Sequence, residues 1–217
     1  MIKDEFVLRL ILVALFLGLT DGHDKPCCLS KKYFGHVKSI TALQRRGGTT
    51  LHISEKRFRA DYDFDMKMYG ETGTVYTDVG GTKSSSAYTM VNDYTHLKSY
   101  NVLSNTGSCS VDEIRPDNVA RHCVPSTLRL VGSYTVGSGP EVILVNNWEG
   151  IHNNLTQSMQ TTYDCTPISG TAYGITGQGD TISLTFLFNN YTRYRVSSPD
   201  AFKLPDVCLK AEPVVGK

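Results

Sequence analysis

The sequence lacks most of the features that announce chemistry. No two of its histidines (His23, His36, His52, His96, His122, His152) stand at the i, i+2 or i, i+4 spacing that zinc sites use. There is no Gly-x-Ser-x-Gly elbow. Gly177-x-Gly179 has neither the following helix nor the lysine of a phosphate loop. These absences point to a protein that is not an enzyme. Net charge is also missing: 22 basic residues face 21 acidic ones, a formal +1 at pH 7. A balance this close gives no reason to expect nucleic acid or an anionic membrane as partner. Beyond residue 22 no apolar run nears the about 20 residues a membrane-spanning helix needs. There is no internal repeat, low-complexity block or linker.

What is present begins with a leader. Lys3 and Arg9 precede an apolar run, Leu10 to Leu19, followed by Thr20 and Gly22. A charged start, a short apolar stretch and small residues at the cut describe a signal peptide. It is expected to cover residues 1–22, leaving one domain over 23–217. The protein is then exported, and Cys27, Cys28, Cys109, Cys123, Cys165 and Cys208 work in an oxidising compartment. An even count predicts three disulfides. A bridge between the adjacent Cys27 and Cys28 strains the bond and is set aside. Two sequons, Asn154-Leu155-Thr156 and Asn190-Tyr191-Thr192, are expected to carry glycans.

The best local signal lies between Arg57 and Met68. Phe58, Ala60, Tyr62, Phe64, Met66 and Met68 alternate with charged residues at every odd position. Period two puts the apolar set on one face of a β-strand and the charges on the other. Ile182, Leu184, Phe186 and Phe188 alternate in the same way. Shorter strand candidates are 74–79, 87–91, 97–103, 128–134, 142–148, 157–165 and 171–175, with turns at Asn92-Asp93, Gly80-Gly81, Gly137 to Pro140 and Gly177 to Asp180. Helix signals are few; Ser198-Pro199 opens one short candidate. The chain reads as one antiparallel β domain of the sandwich or barrel type.

Landmarks then fall in order: Pro26-Cys27-Cys28; Arg57-Phe58-Arg59; Gly107-Ser108-Cys109-Ser110; Cys123-Val124-Pro125; Leu144 to Gly150 around Trp148; Asp164-Cys165-Thr166-Pro167; Phe188-Asn189-Asn190; and Pro199 to Cys208. Their order and spacing resemble the ependymin family of secreted glycoproteins. The doubled Cys27-Cys28 and the Cys123-Val124-Pro125 segment resemble its invertebrate branch. The resemblance implies an all-β fold of two antiparallel sheets, a sandwich or half-barrel around an apolar pocket, similar to bacterial lipoprotein carriers. It implies homodimers, binding of fatty acid or other lipid, some calcium association and no catalytic residues. It suggests a Cys109–Cys208 bridge and pairs Cys27 or Cys28 with Cys165, leaving the other member of the doublet for Cys123.

Two constellations carry the functional expectation. Asp61, Asp63 and Asp65 read as D-x-D-x-D, but the sixth position, where a calcium loop has glycine, is Met66. On a strand the carboxylates would stand about 7 Å apart. They read as a solvated charged face, with Arg57, Arg59 and Lys67 pairing with acids across the sheet; a weak calcium site shared with a neighbouring strand stays open. No other cofactor is expected. The apolar set Phe58, Tyr62, Phe64, Met66, Met68, Leu184, Phe186 and Phe188 is either sandwich core or one wall of a cavity. With the resemblance, the cavity wall is the expectation. The resulting reading is a secreted glycoprotein that binds a hydrophobic small molecule or lipid without covalent chemistry. The rival reading is a structural or adhesive extracellular-matrix component, calcium-associated.

Overall fold

The structure is a computed structural model, and it describes residues 27–116, 119–120 and 122–210. The leader expected over 1–22, and the residues just after it, lie outside them. Eleven strands follow in order: β1 Lys32–Gln44, β2 Leu51–Asp63, β3 Met68–Val79, β4 Thr82–Asp93, β5 Lys98–Leu103, β6 Cys109–Glu113, β7 Leu128–Val136, β8 Ile143–His152, β9 Leu155–Thr162, β10 Pro167–Ile175 and β11 Thr181–Arg193. A one-turn 3-10 segment, Cys208–Lys210, follows. The expected helix after Ser198 is a turn: the Ser198 hydroxyl accepts from Asp200 N, but the backbone leads on to Pro205 without a helical repeat.

The class is all-β and antiparallel. The two sheets expected are one continuous sheet, ordered β6-β5-β4-β3-β2-β1-β11-β10-β9-β8-β7 and open at both edges. Two meanders, β1 to β6 and β7 to β11, are joined because β11 pairs with β1 on one side and β10 on the other. The last strand of the first meander, β6, and the first of the second, β7, are opposite edges. The segment between them must therefore cross the whole sheet.

Local chemistry sets the turns. β2 does not run through to Met68, as the alternation suggested. The Asp63 carboxylate accepts from the backbone N of both Asp65 and Met66, and Lys67 sits at φ 55°. That closes a four-residue turn, so the chain reverses at Phe64 and Met68 opens β3. The same turn recurs between β4 and β5: Asp93 accepts from Thr95 N and His96 N, and Leu97 sits at φ 53°. The turn therefore lies past Asn92-Asp93, not on them. In both, an aromatic follows the aspartate, and both rings turn inward. Phe64 stacks on Tyr62 with centroids 3.7 Å apart, and Tyr94 lies 6.1 Å from it.

Two segments cover the sheet. On the inner face, which bears Tyr33, Phe58, Tyr62 and Phe186, the β6–β7 connection crosses the aromatic end. There Tyr62 Oη donates to Ala120 O, His122 meets the Phe64 ring, and Val124 packs with Leu128 and Trp148. On the outer face, the segment after β11 lies over β1 to β4. Arg195 stacks on Phe34, Ser197 donates through N and Oγ to Asp61, and Ala201 and Phe202 fill the space above Gly70. It ends at the Cys109–Cys208 disulfide on β6. A second disulfide, Cys28–Cys123, ties the chain start to the inner crossing.

Candidate ligand-binding groove

The inner face is closed at one end by aromatics. Tyr33, Tyr62 and Tyr94 are buried there, with Phe64, Tyr69, Phe188 and Tyr191 packed around them. Burial holds these phenols protonated: it is the main cause that raises Tyr33, Tyr62, Tyr69 and Tyr94 above the ordinary value of 10, and it takes Tyr191 to about 12.

Next to this cluster a groove of about 330 Å³ opens across β11, β1, β2 and β3. That is within the range of small-ligand sites. Its apolar wall is Val37, Phe58, Leu184, Phe186 and Phe188. Space for Phe186 comes from Gly170 on β10, directly opposite it in register. A Cβ there would lie 2.3 Å from the Phe186 ring, so only glycine lets the ring fold flat across β10.

One side of the groove is polar. Glu71 is only 8% exposed. It accepts from Tyr69 Oη at 2.6 Å and Tyr88 Oη at 2.8 Å, with Lys56 Nζ 3.6 Å away. Lys56 also lies over the Tyr88 ring, 4.8 Å from its centre. A buried carboxylate needs such partners. Burial first, then the Glu71 charge, raises Tyr88 far above its ordinary value. The groove thus combines an apolar floor for a hydrocarbon chain with one paired charge at its side.

Of the expected wall, Phe58, Leu184, Phe186 and Phe188 line the groove. Tyr62 and Phe64 belong to the aromatic end instead, through Tyr33 and each other. Met66 is at a turn tip and 58% exposed, and Met68 starts β3; neither lines the groove, because the Asp63 turn takes them off the strand. Tyr33, Val37, Ser39, Thr41, Lys56, Ala60, Tyr69 and Glu71 line it without having been singled out for it. Lys56 shares the parity of Phe58, so its face was readable. β1 was not readable, because Gly35, Ser39 and Thr41 occupy its inner positions and blur the alternation.

The aspartates are engaged elsewhere. Asp61 is 2% exposed and accepts from Ser197 and from Arg59 Nε at 3.0 Å. Asp63 caps its turn and meets Lys32 Nζ at 2.9 Å; Asp65 meets Lys31 Nζ at 3.3 Å. Arg57 and Arg59 of β2 do not face acids across the sheet. His36 stands opposite Arg59 and Lys38 opposite Arg57.

Cys28 is bonded to Cys123, and Cys109 to Cys208. Cys27 and Cys165 are thiols here, so the pairing with Cys165 drawn from the resemblance is not formed. The two lie side by side: burial first, then the hydrogen bond with Cys27, pushes the Cys165 thiol up to about 12. Cys28, Cys123 and His122 are close enough to share a metal ion, but the disulfide occupies both sulfurs. Asn154 is the second residue of the two-residue β8–β9 turn, at φ 62°, and Asn190 is an exposed bulge of β11 at φ 53°.

Residues 82–208 match the family model described as Ependymin. No curated protein matches the chain. Among solved structures, a DUF1329 family protein from Desulfovibrio piger is 12% identical over 80% of this chain and 89% of its own, with a TM-score of 0.31. A chain of the Pseudomonas aeruginosa MucA/MucB complex is 8% identical over 73% and 89%, with a TM-score of 0.14. Superpositions this loose say nothing about a ligand.

Proposed function

The chain belongs to the ependymin family, and on that premise we propose that it is an exported protein whose inner groove binds a single-chain lipid, fatty acid or similar, without covalent chemistry. The observation that carries this is the groove itself, a 330 Å³ space lined by Val37, Phe58, Leu184, Phe186 and Phe188 beside an already packed aromatic core. Burying an acyl chain there contributes about 0.8 kcal/mol per methylene before ordering costs. The two disulfides fit an oxidising compartment. Exposed Asn154 and Asn190 are accessible to glycosylation.

The same reading includes a homodimer. Edge strand β7 exposes Val131, Tyr134 and Val136 beside an unpaired backbone rim, and a second copy would cover both. The test is saturable binding of a fluorescent fatty acid to folded, delipidated protein. Gly170→Val, which drives Phe186 into the groove, should abolish binding while a thermal melt shows the protein still folds. Absence of saturable binding to the unaltered protein overturns the proposal.

A further inference from the structure

The outer face carries a feature that the near-zero net charge conceals. His36 and Lys38 on β1 stand directly opposite Arg59 and Arg57 on β2. All four point to the same side, since each is one position off the inward residues Val37 and Phe58. Directly opposed side chains in a sheet are about 5 Å apart and residues two along a strand about 7 Å, so the four make a compact square. Lys38 and Arg57 are like charges placed directly opposite each other, which weakens strand pairing. A sheet that keeps them breaks its own pairing rule, and such breaks collect at functional sites.

The lateral neighbours carry no acid. Across β11 the partners are Asn189 and Leu187; across β3 they are Thr72 and Thr74. The acids come from along β2 itself. Glu55 takes Arg57 Nε at 2.7 Å and Lys38 Nζ at 3.4 Å; Asp61 takes Arg59 Nε at 3.0 Å but is shared with Ser197. Each guanidinium is thus held by its Nε edge, leaving terminal N–H groups as donors. The square lines an open groove of about 690 Å³, with Thr72 and Asn189 on its sides. Beside it, Ser197 of the segment after β11 sits on Asp61, one step from Arg59.

We propose that this outer groove binds a sulfated polysaccharide, with Lys38, Arg57, Arg59 and His36 meeting sulfate groups and Thr72 and Asn189 meeting sugar hydroxyls. Arginine forks match planar and tetrahedral oxyanions, and the groove is open to solvent, as an extended ligand requires. A planar membrane surface fits a recessed groove beside a raised segment less well. The site is on the opposite face from the lipid groove and does not depend on it.

The test is binding of the full chain to a heparin-derived oligosaccharide at low salt, with the chemically desulfated form as reference. The sulfated form should bind and the desulfated form should not, and added salt should weaken binding, because exposed charges are screened beyond about 10 Å. Lys38→Gln with Arg57→Gln should lower affinity about tenfold or more. Lys83→Gln with Lys98→Gln, the same charge change on β4 and β5, should leave it within about twofold. Glu55→Gln should strengthen binding by removing the resident anion. His36→Gln, which breaks no ion pair, guards against misfolding of the double variant and should weaken binding on its own. Equal binding of the desulfated chain, or equal losses in both lysine–arginine and control variants, overturns the proposal. So does tighter binding to phosphatidylserine-containing vesicles than to the oligosaccharide with the same dependence on Lys38 and Arg57, which would make the face a membrane site.

Discussion

Strands β1 to β6 and strands β7 to β10 share one sheet but are covered differently. The first half is covered on both sides at the end bearing Asp61 and Tyr62: the β6–β7 crossing lies on its inner face, and the segment ending at Cys208 lies on its outer face. Tyr33, Tyr62, Tyr88 and Tyr94 are buried there, and the hydroxyls of Tyr62, Tyr69 and Tyr88 find partners in Ala120 and Glu71. The second half is covered on the inner face by Val124, Leu128 and Trp148, with Trp148 Nε1 donating to the buried Thr161 hydroxyl at 3.1 Å. Its outer face carries a lateral run of polar pairs, Ser158 to Asn147 and Ser169 to Gln160, and its tyrosines 134, 163 and 173 are exposed. Cross-strand polar pairs suffice for a face that meets water. Double coverage frees the first half to carry a buried charge, an aromatic end and, next to them, a groove that its own side chains do not fill.

The largest expected difference between the halves is alkaline. Tyr33, Tyr62, Tyr69, Tyr88 and Tyr94 all have folded pKa values raised above the ordinary 10, first by burial. A raised value means the folded state keeps its proton longer. The stabilisation is complete below pH 10 and is lost as pH climbs toward the folded values. Absorbance at the phenolate band should show the exposed tyrosines titrating smoothly, then a cooperative step coinciding with loss of β-sheet signal. A smooth titration of every tyrosine would mean the first half is not closed.

Next comes Trp148→Ala, which should cost about 3–5 kcal/mol in denaturant unfolding, as for other buried large-to-small changes. If the two halves form one cooperative unit, the whole transition shifts. Two separate transitions would show that the join between β1 and β11 does not couple them.

The disulfides should rank below this and act unequally. Replacing Cys109 and Cys208 by serine opens a loop of 99 residues and releases the outer segment, at a cost of about 2–5 kcal/mol. The loss should fall on the first half, seen as faster amide exchange in β2 to β6. Material from an oxidising host should also form a Cys27–Cys165 bridge, since the thiols are adjacent. Thiol titration of denatured, unreduced protein reads this directly: no free thiol is expected, and two per chain would keep the second half untethered.

The smallest effect is acid. Asp164 is held below 3.8, first by the Thr162 hydroxyl and then by Arg193. Burial alone would raise Asp93, but hydrogen bonds from His96 and Thr95 outweigh it and lower it. Depressed values stabilise the fold above pH 3.8, and this is lost as pH falls through them. Asp164 is exposed and Asp93 lies at a turn, so a shallow decline in melting temperature below pH 4 is expected in both halves. A steep acid transition confined to one half would contradict this.

Much of this was legible in the chain, and the limit has a physical reason. Alternation identified β2 and β11 and put Phe58, Leu184, Phe186 and Phe188 on their correct faces, because side-chain direction in a strand is a local property. Glycine marked the turns at Gly80-Gly81, Gly137 to Pro140 and Gly177 to Asp180 for the same reason. The Asp63 and Asp93 turns were missed: a carboxylate that caps the next two backbone N–H groups ends a strand without interrupting its period-two pattern. β1 was missed because central inner positions are filled by Gly35, Ser39 and Thr41, small residues that make room rather than show polarity. What no single strand encodes is its neighbour. Only the register between β1 and β2 sets His36 and Lys38 against arginines, only the β1–β11 pairing merges two meanders into one sheet, and only Gly170 opposite Phe186 shapes the groove. Period two assigns a residue to a face. The partner across that face is chosen by contacts between strands, some neighbours in the chain and others, like β1 and β11, more than a hundred residues apart.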